Sequence, residues 1–159
     1  MLPIVLRWIH VLAGAAWLGE VAVISFVLVP VVVKADHDRR TWFLSTVFPR
    51  LFTMASGLVI ATLGAGAALS VALNGWTLDL VALRGPRWAV PIFFGGGLGL
   101  VLGLFHFVAE PRLEARIEDT DASPADVETT IRYLRIIPRL GFLVLVAVVL
   151  SMMVAVRGL

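Results

Sequence analysis

Two histidines, His10 and His106, stand inside long apolar stretches, and Glu20 is the only acid deep within one. Ionisable groups are costly to keep among apolar neighbours, so those found there are functional candidates by default. A neutral imidazole ligates a metal or simply hydrogen-bonds across the bundle. A carboxyl in the same setting relays protons, ligates a metal, or stays protonated and hydrogen-bonded inside a bundle. His10 shares one helical stripe with Gly14 and Trp17, at i, i+4 and i+7, where a flat macrocycle can lie beside the missing side chain of Gly14. His106 follows Gly95, Gly99 and Gly103, whose spacing brings a partner backbone or a planar cofactor close to the helix axis. Ordinary helix packing uses the same residues, and both readings stay open at this point.

The chain has no cysteine, which excludes thiolate metal sites, iron–sulfur clusters, disulfides and covalently attached haem. Any cofactor is then held by His, Met, carboxylate or packing. Methionine opposite histidine is an axial pair in some haem proteins and also suits Cu(I). If Arg7 and Arg87 mark the same level of two parallel spans, His10 and His106 lie about 16 residues, or about 24 Å, apart along the bundle. Two nitrogens on one metal must each come within ~2 Å of it, so these two cannot share an iron within one subunit. On that reading Met152 and Met153 reach the level of His10, and Met54 that of His106. Arg50 and Arg139 each follow a Pro at a span boundary, where they hold haem propionates or lipid phosphates, or simply extend to the headgroups.

The elements that must position these residues are legible in the composition. Of 159 residues 60% are apolar and 15% charged, with mean hydropathy +0.97, too little polar material to cover a soluble domain. Residues 51 to 78, 88 to 109 and 140 to 156 carry no charge, and 8 to 33 carry only Glu20. Each run approaches the ~17–25 residues that cross a bilayer. The expected fold is all-α: one integral membrane domain, a four-helix bundle with spans at about 3–33, 48–73, 88–110 and 138–157. This excludes soluble enzymes and disulfide-stapled modules. The small excess of 13 cations over 11 acids gives no reason to expect a nucleic-acid partner. The first run is too long, and too poor in cations, for a cleaved signal peptide.

Nine of the cations fall on the side of the Lys34 to Arg50 and Pro111 to Arg139 connections and four on the other. The positive-inside rule then makes the first side cytoplasmic and places both termini outside a cytoplasmic (inner) membrane. The second connection is long. Leu113 and Ile117, like Glu114 and Glu118, are four apart, and Ser123-Pro124 reads as a cap and first helical residue. A cytoplasmic extension of helices 3 and 4, projecting as a hairpin, is therefore expected. Arg7-Trp8 with Pro30 is echoed by Arg87-Trp88 with Pro111, and Pro49-Arg50-Leu51 by Pro138-Arg139-Leu140. The echo marks either a parallel duplication of hairpins or recurring interfacial anchors.

The stretch from Arg7-Trp8-Ile9-His10 through Trp17-Leu18-Gly19, then Pro30 and Phe48-Pro49-Arg50-Leu51-Phe52, resembles the four-helix membrane families around the CopD copper-resistance domain and HemJ, the haem-linked protoporphyrinogen oxidase. His106 and Tyr133-Leu134-Arg135-Ile136-Ile137-Pro138-Arg139 also look like the third span and fourth-span entry of HemJ. The likeness covers the layout of nearly the whole chain but only short stretches of identity. HemJ-like sequences carry a Lys early in the third span, where this chain reads Ala89-Val90-Pro91-Ile92-Phe93-Phe94-Gly95-Gly96. The resemblance implies a bundle holding haem b, with His10 as axial ligand, that passes electrons or acts as an oxidoreductase on a porphyrin or quinone-like substrate. The CopD likeness implies instead copper handling through His10, Glu20 and methionines. A third expectation needs no cofactor: a homo-oligomer or an assembly subunit of a larger membrane complex.

Overall fold

The structure, a computed structural model, describes residues 1–76, 90–118 and 124–157. Arg87 and Trp88 of the expected repeat, and the Ser123 cap, lie outside the described residues. Every element among the described residues is helical. Four helices are long and apolar enough to cross a membrane: Leu2–Lys34, His37–Leu73, Pro91–Val108 and Val127–Met153. Leu12, Val31, Ile60, Leu104 and Leu143 are among the many large apolar side chains exposed on the outside of the bundle. Water would penalise such a surface at about 25 cal/mol per Å², whereas hydrocarbon does not. The chain is a multi-pass membrane protein.

The first rod runs through α1 (Leu2–Val23), a π-helical segment (Ile24–Leu28) and α2 (Val29–Lys34). The second runs through α3 (His37–Trp42), a π segment (Phe43–Val47) and α4 (Phe48–Leu73). Each π segment ends two residues before a proline, Pro30 and Pro49. Proline gives no N–H to the carbonyl four residues back and crowds it, and a widened turn absorbs both effects without breaking the rod. The third rod is a π segment (Val90–Gly96) followed by α5 (Gly97–Glu118); the fourth is α6 (Pro124–Arg157), with proline as its first residue, as expected.

Two helix ends extend beyond the apolar runs. The second rod starts at His37, well before residue 48, because Asp36 caps it: the Arg39 N–H donates to Asp36 Oδ1 at 2.9 Å, and Arg39 Nε lies 3.2 Å from Oδ2. The charged residues 36–40 thus begin a helix. The start of α6 packs against both rods of the first hairpin. Val127, Ile131 and Leu134 pack into one cluster with Ile24, Val29 and Val32 of the first rod and Phe43, Leu44 and Phe48 of the second. Arg40 Nη1 donates to Glu128 at 3.3 Å across that end, so the first hairpin extends as far as the base of the fourth rod.

The first rod packs on the second and fourth, and the third on the second and fourth, which leaves the first and third diagonally opposed. Trp17, Val59 and Leu145 meet at mid-height. At its far end the second rod closes on Gly75 at φ +64, a left-handed position that glycine occupies without strain.

Candidate functional site

His10 projects from α1 onto α4. Its Nδ1 lies 2.8 Å from the carbonyl oxygen of Thr62. A carbonyl only accepts, so Nδ1 carries the proton and donates it, and Nε2 keeps the lone pair. No hydrogen bond to Nε2 occurs among the described residues. The ring lies flush on Gly66, where a Cβ would stand 2.8 Å from Nδ1 and 2.9 Å from Cε1. One turn along, the bare face of Gly14 meets the Thr62 methyl at 3.4 Å from the position of a Cβ. Trp17 follows, 5% exposed, against Val59. The expected stripe His10, Gly14, Trp17 therefore seats the second rod, and Thr62 occupies the place foreseen for a macrocycle beside Gly14.

These contacts set the register. His10 stands at Gly66, Gly14 at Thr62 and Trp17 at Val59, so α1 and α4 run antiparallel with Glu20 falling at the level of Ser56. Two turns beyond Leu145, which packs with Trp17 and Val59, Met152 reaches the level of His10, where its methyl lies against Gly95. Met153 is turned outward and Met54 is half exposed. Met54 sits about 200° around α4 from Ser56; the structure brings neither Met153 to His10 nor Met54 to His106. Arg50 and Arg139 are exposed near the Asp36 end of the bundle.

His106 is 8% exposed, with Nε2 hydrogen-bonded to Ser56 Oγ at 2.8 Å and the rings of Phe52 and Phe107 edge-on to it. Its glycine stripe is filled by neighbours: Gly99 and Gly103 receive Leu63, Gly103 also Val59, and Gly95 receives Ser151 and Met152. Close helix packing is what the stripe serves here. Measured along α4, from Gly66 to Ser56, the two histidines are about ten residues, or about 15 Å, apart. The expected ~24 Å is corrected, because it assumed that Arg7 and Arg87 share a level. A shared iron remains out of reach.

Sequence reasoning passed over Thr62, Gly66 and Ser56. Thr62 and Gly66 are four apart, the spacing of Gly14 and His10 that they receive, and that complementary pair of small residues was the available signal. No three His, Asp or Glu side chains converge among the described residues. Compared with protein-family models, with characterised proteins and with solved structures, the chain matches none.

Proposed function

We propose that the protein binds haem b in the membrane and serves a redox role, passing electrons or oxidising a porphyrin or quinone-like substrate. One observation carries the reading: the Nδ1–H of His10 is given to a backbone carbonyl, which fixes the tautomer that leaves Nε2 as a ligand. A bare copper or zinc ion needs several protein donors converging on it. Haem brings its own ring of nitrogens, so one oriented imidazole suffices, with Met152 at the same level as a second donor. Bound there, haem supplies one-electron exchange; the chain's own part is to orient the imidazole and exclude water with apolar walls. The resemblance to HemJ-like and CopD-like sequences agrees with this arrangement.

The absorption spectrum of the purified protein tests it. A Soret band with α and β bands that sharpen on reduction is expected. A colourless protein that takes up no added haem overturns the reading, and copper in such a sample transfers the function to copper handling.

We propose further that the Asp36 turn faces the cytoplasm and that both termini lie outside, a reading supported by the cation asymmetry. Cysteines introduced at Asp38 and Gly158 should react with an impermeant thiol reagent from opposite sides of intact cells, Gly158 from outside. Labelling of Asp38→Cys from outside reverses the orientation.

A further inference from the structure

Besides the His10 level, the bundle interior holds a second polar layer. Glu20 is 7% exposed and belongs to the buried stripe Ala13, Trp17, Glu20, Ile24 of the first rod. His106 is 8% exposed and ends the inward stripe Gly95, Gly99, Gly103 of the third. These rods oppose each other across the diagonal, and the register puts both residues at the level of Ser56, to which His106 is hydrogen-bonded. In a four-helix bundle, inward residues of diagonal helices at one level meet across the core. A carboxyl and an imidazole so placed exchange one proton at no net change of charge, from carboxylic acid and imidazole to carboxylate and imidazolium.

A second observation gives the layer a connection. The Ser25 hydroxyl, five residues from Glu20 toward the Asp36 end, is fully buried with no hydrogen-bond partner among the described residues. It sits in the π segment Ile24–Leu28, a widened turn of the kind that often marks function. A hydroxyl in that state calls for water to satisfy it. Thr62 Oγ1, buried and also without a partner among the described residues, lies on the other side of the layer toward His10.

We propose that Glu20 and His106, joined through Ser56, form a proton-exchange site in the bundle interior, with Ser25 as its hydrated connection toward the Asp36 end. The proton released by the Glu20 carboxyl passes to the His106 imidazole or to water at Ser25, and each returns it by the same route. The other walls are neutral: the second rod contributes no ionisable side chain from 51 to 76, nor the fourth from 140 to 153. Arg50 and Arg139 are exposed, and the side chain of Glu110 lies outside the described residues. The site is independent of any cofactor at His10.

Infrared difference spectroscopy of the full chain in lipid nanodiscs, titrated between about pH 5 and pH 9, tests the proposal. Subtracting Glu20→Gln from the native protein should isolate one protonated-carboxyl band that titrates and shifts in deuterated water. His106→Gln should displace its midpoint by about half a pH unit or more, the effect expected of interacting neighbours. A carboxyl band that never changes, or a midpoint indifferent to His106→Gln, overturns the site; a static structural pair gives the first result. If Glu20→Gln fails to fold, nitrogen-15 histidine spectra of the native protein serve instead. The His106 ring-nitrogen signals must then differ between the native chain and Glu20→Asp; identical signals in the two overturn the pairing.

Discussion

His10→Ala should abolish most haem binding, with affinity falling about 100-fold or more, since loss of a hydrogen-bonding partner of a ligand already costs roughly 10–100-fold. The ligand itself is worth at least that. The substitution leaves a small cavity above Gly66, and free imidazole added to the variant should enter it and restore part of the Soret band. His106→Ala, about 15 Å away along the bundle and engaged with Ser56, should leave the spectrum largely intact. Titrating haem into both variants measures the difference. Full occupancy in His10→Ala with loss in His106→Ala moves the site to the other histidine.

Gly66→Ala is expected to be a damaging single-methyl change at the His10 level. Its Cβ would press on the His10 ring at 2.8 and 2.9 Å, and the shift this forces strains the hydrogen bond to the Thr62 carbonyl. Overpacking of this kind costs about 1–3 kcal/mol. The loosened tautomer should weaken haem binding as well, by about 10–100-fold. Gly57→Ala is the control: nothing stands within 4 Å of its Cβ position, and alanine is the better helix former by up to ~1 kcal/mol. Thermal unfolding in detergent, run beside haem titration, separates the two effects. In His10→Ala the same Gly66→Ala change should become nearly harmless, because the atoms it strikes are gone. Equal behaviour of the two glycine variants in the native background removes the notion that His10 is held by Gly66.

The membrane character, the helical class and the identity of the buried ionisable residues were already present in the linear sequence. Long uncharged runs and rare polar residues inside them are local properties, and no partner is needed to read them. The start of the fourth helix at Pro124 was local in the same way. The start of the second helix at His37 was not legible in the same way, because Asp36 acts as a cap that keeps a charged turn helical, and a charged stretch between two apolar runs otherwise reads as a loop.

Register was the part that no local signal carried. Spans packed side by side slide past one another in a hydropathy profile without any penalty, so pairing Arg7 with Arg87 looked as sound as any other choice. The fit of side chains into glycine notches decides the matter: His10 on Gly66, Leu63 on Gly99 and Gly103, Met152 on Gly95. Those contacts brought the histidines closer than expected and left Met152, but not Met153, facing in at the level of His10. They also turned Met54 to the outside and set Glu20 at the level of His106. Residue types named the groups able to do chemistry, whereas only steric complementarity between helices far apart in sequence determined which of them share a layer.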